Sequence, residues 1–339
     1  MVKEKLIILF LGVFSVLFVS LVLAASCSAA PASSSDDSGG GPVYVPGSQW
    51  EYATTNAAFA ERYGHTGVVF NNKMWIIGGY IHEVYRDTND VWYSSDGTNW
   101  ECATNGAAFP GRSGHTSVVF NNKIWIIGGS DSLGDKNDVW YSSDGTNWEC
   151  ATNSAAFPVR YGYTSVVFNN KMWVIGGHIS GMGGYFTNDV WYSSDGTNCE
   201  CATNSAAFPA RYRHTSVVFN SKMWVIGGEI TSGITNDVWY SSDGTNWECA
   251  TSSAAFPSRY LHTSVVFNSK MWVIGGEMTS GVTTNDVWYS ADGVNWICAT
   301  NGAAFPPRTE CAGLSFNSRM WIIGGFNNTL NYNDVWYGK

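Results

Sequence analysis

Apolar and polar positions along this chain fall into short, sharply bounded runs rather than helical stripes. In Thr116-Ser117-Val118-Val119-Phe120, Asn121-Asn122 and Lys123-Ile124-Trp125-Ile126-Ile127, two runs rich in Val, Ile and aromatic residues flank a pair of Asn. Branched and aromatic side chains suit a pleated, buried surface, and Asn tolerates the backbone of a tight turn, so this pattern predicts a β-hairpin. Gly128-Gly129 follows and reads as the end of the second strand, because residues without a Cβ allow a sharp departure. A third strand is predicted over Asp138–Ser142, a turn at Asp144-Gly145, and a fourth strand over Trp148–Thr152.

The same pattern recurs six times. Its Gly pairs begin at Gly78, Gly128, Gly176, Gly227, Gly275 and Gly324, at intervals of 50, 48, 51, 48 and 49 residues. Between each Gly pair and the next Asn-Asp-Val-Trp-Tyr lie 9, 7, 10, 7, 8 and 7 residues, and the rest of each interval is a constant 41. All length variation therefore sits in one loop per repeat, the mark of a fixed scaffold with one adjustable surface element. A single four-stranded sheet cannot bury both faces, whereas six arranged radially can, with Trp and Tyr filling the wedges between them. The sixth repeat stops after its third strand, at Trp336-Tyr337-Gly338-Lys339, while Pro46–Thr54 aligns with Asp144–Thr152. An N-terminal strand paired into the last blade would close the ring and remove two open sheet edges. The expected fold is all-β: a six-bladed propeller over residues 49–339, with four antiparallel strands per blade.

The Gly pair, the aromatic seven residues before a Trp (Tyr141 and Trp148) and the Arg-x-x-His leading into the first strand resemble Kelch repeats. The turn Ser142-Ser143-Asp144-Gly145-Thr146-Asn147-Trp148 is similar to the Asp-box of sialidases and related propellers, with one residue fewer between Asp and Gly. In those families the Asp-box is a structural hairpin remote from the active site, and that resemblance implies a structural role here.

Composition narrows the function. With 45% hydrophobic and only 13% charged residues, the chain is not of the disordered class. A net charge of −9 with no basic cluster excludes a nucleic-acid partner. Lys3 and Lys5 precede an apolar run from Leu6 to Ala25, and Leu23-Ala24-Ala25-Ser26-Cys27 resembles a bacterial lipobox with Cys27 as the lipidated residue. An uncleaved signal anchor and an ordinary secretory signal are the alternatives, and each places the remainder outside the cytoplasm. Residues 1–26 thus read as a lipoprotein-type signal peptide and residues 27–48 as a flexible Gly/Ser-rich tether. The expectation is a monomer anchored in the cell envelope.

Cys102, Cys150, Cys201, Cys249 and Cys298 occupy one position of the fourth strand in successive repeats, too far apart to bridge, and read as small apolar residues packed between blades. Cys199 stands where other repeats have Trp, which predicts loose packing there. No zinc-type Cys spacing is present, and neither metal nor cofactor is expected. Each repeat carries one Arg before its first strand (Arg62, Arg112, Arg160, Arg211, Arg259, Arg308) and one Asp in Asn-Asp-Val-Trp. These form either a ring of structural ion pairs or a set of guanidiniums at the channel mouth, with Arg160, Arg211 and Arg259 holding a carboxylate or phosphate. The residues directly after each Gly pair break the repeat: Tyr80, Ser130, His178, Glu229, Glu277 and Phe326. His178, Glu229 and Glu277 are the candidate acid–base set. Tyr80 and Phe326, with Arg86 and Tyr185 of the longer loops, are candidate ligand contacts, since Tyr and Arg favour binding surfaces.

Two functions follow. The first is a binding module whose variable loops recognise a protein or a glycan. The second rests on resemblance: six-bladed Kelch proteins of the bacterial cell envelope include N-acetylneuraminate epimerases (mutarotases). That resemblance implies acid–base work by His178 with Glu229 or Glu277, and a sugar carboxylate held by the Arg set. Near-identical blades favour binding, because an active site needs different residues converging on one point.

Overall fold

The computed structural model describes residues 47–180 and 183–339. Residues 1–46, on which the expected signal peptide, Cys27 and most of the expected tether fall, lie outside the described residues. Six antiparallel sheets stand around a central axis. In the second blade the strands run Thr116–Phe120, Lys123–Asp131, Gly134–Ser142 and Glu149–Thr152, paired in that order from the axis outward. Each innermost strand packs on its two neighbours, Thr66–Phe70 touching both Thr116–Phe120 and Ala312–Phe316, so the ring is complete. The sixth blade is closed as the repeat alignment predicts: Trp50–Thr54 pairs antiparallel with Asn331–Gly338.

The Gly pair behaves differently from expectation. In five blades the second strand runs on through it, as in Lys73–Ile81 and Lys222–Ile230, and only in the fifth does it stop, at Ile274. The pair is a bulge, with the register shifting between Ile127 and Gly129 in the second blade. Gly128 and Gly129 have φ of 45° and 94°, and a Cβ on Gly129 would sit 2.6 Å from that of His115. Glycine is required here by both conformation and crowding.

The core lies between blades. The first wedge packs Phe70, Trp75, Ile77 and Val91 against Phe109, Ile124, Ile126 and Trp148. Trp148 meets Phe109 edge-on, with centroids 5.1 Å apart, and its indole N–H donates to Gly145 O at 3.2 Å. The turn before it is built on Asp144. Its Oδ1 accepts the N–H groups of Thr146 and Asn147 at 2.8 Å, and Ser142 Oγ accepts that of Gly145. Burial pushes the Asp144 carboxyl up, but those hydrogen bonds outweigh it and hold it at about 2. The Asp-box-like turn is therefore a self-contained hairpin, away from the axis.

The wedge holding Cys199 is open. A small apolar void lies among Ile127, Phe157, Met172, Val174 and Cys199. Met172 is 3% exposed, whereas Met74, Met223, Met271 and Met320 at the same position are fully buried. The reading of the fourth-strand cysteines needs correction: Cys102, Cys150, Cys201 and Cys249 are free and exposed rather than packed between blades. Their strand is the outermost, and its first two residues face solvent.

Candidate functional site

Arg160, Arg211 and Arg259 do not offer their guanidiniums to a ligand, and that expectation is corrected. All six repeat arginines are completely buried. Arg211 Nη1 and Nη2 donate to Asp237 Oδ1 and Oδ2 at 2.7 and 2.8 Å, Nη1 also to Gly227 O at 2.9 Å, and Nε to Pro209 O at 3.1 Å. Every blade repeats this bidentate pair. Desolvation raises the Asp237 carboxyl, but Arg211, Trp239 and Thr235 together hold it below the usual range. The layer is the ring of structural ion pairs, and the carboxylate-holding set that the epimerase resemblance calls for is not available at these positions.

Three residues beyond each Arg a second ring stitches the blades together. His65 Nε2 reaches Ile323 O of the preceding blade at 3.1 Å, and Tyr163 OH donates to Ile127 O at 2.5 Å in the equivalent place. His115, His214 and His262 meet Thr66, Thr164 and Thr215 at 3.0, 3.0 and 2.9 Å. Burial drives these imidazoles far below the ordinary value, to about 3 for His65, His115 and His214, with the neighbouring Arg adding to the effect. They are neutral staples. Cys311, in the sixth blade, is too short to make the contact.

Above this collar the channel widens into a mouth with a cavity of about 380 Å³. Tyr63, Ser113, Ser130 and Tyr161 line it, and in each blade the positions flanking the repeat constants pair in register: Tyr63 with Tyr80, Ser113 with Ser130, Tyr161 with His178, Tyr212 with Glu229, Tyr260 with Glu277 and Thr309 with Phe326. Of the residues after the Gly pairs, Ser130 lines the cavity itself, and the other five pair with the segment leading into their blade's first strand. Tyr63 packs on Phe326 and Tyr80, with centroids 4.4 and 5.3 Å apart. His178 lies 5.0 Å from Tyr161 and 5.7 Å from Phe186, which stacks on Tyr212 at 4.4 Å. Tyr260 OH donates to Glu277 Oε1 at 2.8 Å. Burial first, and the Glu277 carboxylate second, push the Tyr260 phenol up to about 12. Tyr212 is likewise raised to about 12 by burial, with Glu229 adding to it against Arg213. Arg86 and Tyr185 lie further out, each exposed as the first residue of its blade's third strand.

The floor of the mouth escaped the sequence reading. Gly64, Gly114, Gly162, Arg213, Leu261 and Glu310 occupy one equivalent position, all with left-handed φ between 50° and 64°. Their main chains join around the axis: Gly114 N–H donates to Gly64 O, Arg213 to Gly162, Leu261 to Arg213, Glu310 to Leu261 and Gly64 to Glu310. Three blades leave this position bare, and three project side chains from it. Arg213 lies over Tyr212 and Tyr260, 5.0 and 5.8 Å from the ring centroids. Burial raises the Glu310 carboxyl, Arg213 opposes that and Glu277 adds to it. The signal was present in Arg-x-Gly-His becoming Arg211-Tyr212-Arg213-His214 and Arg308-Thr309-Glu310-Cys311.

Blade number, bulged Gly pairs, buried Arg–Asp pairs and the closing strand together define a Kelch-repeat β-propeller. The family model described as the KLHDC2/KLHL20/DRC7 Kelch-repeats domain matches residues 64–200 and again 162–338, and the chain belongs to that family. No curated protein matches it. Among the described residues no helix is long and apolar enough to cross a membrane, and no group of His, Cys, Asp or Glu is placed to hold a metal ion.

Proposed function

We propose that this chain is a protein-interaction module that engages its partner with the mouth and the loops around it, held outside the cytoplasm by a lipid on Cys27. One observation carries the binding face. Blade-to-blade divergence is concentrated at the mouth and its loops, and those loops end in exposed apolar side chains. Tyr85 is 72% exposed, Leu133 87%, Tyr185 60%, Val282 55% and Leu330 58%, contributed by five different blades. Exposed aromatic and aliphatic side chains ringing a concave surface suit a protein partner, because their burial supplies the association energy. Tyr80, Phe326 and Arg86 extend the same face.

Immobilised propeller (residues 43–339), offered an envelope extract, is expected to retain a partner that the Leu133→Ser/Tyr185→Ser double variant releases. Equal retention by both proteins removes the mouth face from consideration. A glycan partner would instead survive protease treatment of the extract. For the anchor, the full chain is expected to incorporate radiolabelled palmitate and to lose it in Cys27→Ala, and a label that persists in that variant rejects the lipid tether.

A further inference from the structure

The floor of the mouth has a polarity that the six-fold repeat does not require. On one side Gly64, Gly114 and Gly162 leave it open, and the side chains bounding that opening are Glu310 and Arg213. A Cβ at Gly64 would lie 3.2 Å from Glu310 Oε2, and one at Gly162 would lie 3.3 Å from Arg213 Cγ. Between them Gly114 faces open space, with nothing within 4 Å of where its Cβ would be. A carboxylate and a guanidinium thus flank a bare glycine, and both line the 380 Å³ cavity. They do not satisfy each other: among the described residues no ion pair within 4 Å includes Arg213 or Glu310, whereas the six repeat arginines are each paired with an Asp. Ser113 and Ser130 form the wall behind Gly114, and Tyr63 and Tyr161 stand on either side.

The backbone at these two positions is costly. Arg213 and Glu310 hold φ of 54° and 50°, which a side chain with a Cβ adopts at some expense and glycine adopts freely. Three sister blades show that glycine serves the ring equally well. A charged residue in each of these two places, with complementary signs and a gap between them, needs a reason other than the fold.

We infer that the mouth floor binds a small zwitterion, its ammonium against Glu310, its carboxylate against Arg213 and its short carbon chain lying over Gly114. Charge-assisted hydrogen bonds at each end supply orientation, the guanidinium fork suiting a carboxylate. The cavity lies within the size range of small-molecule sites. The inference places this site inside the proposed binding face, but it is independent of the loop tips and does not need a protein partner.

Titration calorimetry with γ-aminobutyrate, butyrate and butylamine tests it. γ-Aminobutyrate is expected to bind at least tenfold more tightly than either single-charge analogue. Arg213→Gly should bring it down to the level of butylamine, and Glu310→Gly to the level of butyrate. Because three blades already carry glycine there, both variants should fold, with unfolding midpoints at or slightly above the parent's. Equal affinity for all three probes, no binding of any, or γ-aminobutyrate affinity unchanged in both variants overturns the inference. Loss of partner retention in Leu133→Ser/Tyr185→Ser with zwitterion binding intact would show the two sites to be separate.

Discussion

Arg211 and Arg213 are two residues apart and do opposite things. Arg211 sits in the layer between blades, fully buried, with two bonds to Asp237 and two to main-chain oxygens. Arg213 sits on the mouth floor over two tyrosine rings, in a cavity, with no ion-pair partner among the described residues. The first layer is constant around the ring, and the second changes from glycine in three blades to Arg213, Leu261 and Glu310 in the others. Constancy here tracks burial: a group with four satisfied donors in the interior tolerates no change, while the mouth diverges where side chains meet solvent.

The largest effect of a single substitution at neutral pH should come from breaking the constant layer. Arg211→Ala strands the Asp237 carboxylate in the interior, and Asp237→Ala does the same to the guanidinium. Either should cost about 3–5 kcal/mol, read as a fall in the urea midpoint. A loss below about 1 kcal/mol in both would mean that the ring of ion pairs is not structural. Mouth substitutions such as Glu277→Gln, by contrast, should leave the midpoint close to the parent's.

Acid should act next, through the imidazole collar. The folded values of His65, His115 and His214 are near 3, and that of His262 is also well lowered, whereas unfolded histidine titrates near 6.5. Above about pH 6.5 neither state is protonated and the contribution is fully present. As pH falls from there toward 3 the unfolded chain takes up protons that the folded one refuses, so stability is lost, by up to about 1.4 kcal/mol per histidine per pH unit. His214→Tyr copies the natural Tyr163 and should shallow this slope by about a quarter. A slope unchanged in that variant would show that acid acts elsewhere.

The smallest of the three is a gain. Cys199→Trp restores the indole that five wedges already hold, with Gly196 O placed to accept its N–H as Gly244 O does for Trp247. Burying that indole against Phe157 and Met172 should add about 2 kcal/mol. A loss instead would mean that this wedge has closed around its smaller side chain.

Most of the fold was legible because it is written six times. Six Gly pairs, a constant spacing outside one loop, and a C-terminal repeat missing the strand found at the N-terminus lead to six blades and their closure without reference to coordinates. The Gly pair misled locally: glycines suggest a break, and only the register shows that the ladder continues through them as a bulge. The fourth-strand cysteines misled for a related reason, since alternation along a strand does not say which face an outermost strand turns to solvent. The site was half legible. Tyr80, His178, Glu229, Glu277 and Phe326 stood out because they break a repeat. Arg213 and Glu310 break one too, yet a glycine column reads as a turn until the structure shows that it encircles an axis.

Closure of the last blade sets an order of events as well as a shape. Of the propeller's strands, Trp50–Thr54 is the first to emerge during synthesis and its partner Asn331–Gly338 the last. The five blades between can pair locally as they appear, each hairpin needing only nearby sequence. The ring itself requires joining residues nearly three hundred positions apart, a slow search compared with local pairing. Until then the chain carries an unmated leading strand and an open final sheet, each a template for the wrong partner. A nascent chain of this design therefore depends on its own tail to retire the hazard that its head creates.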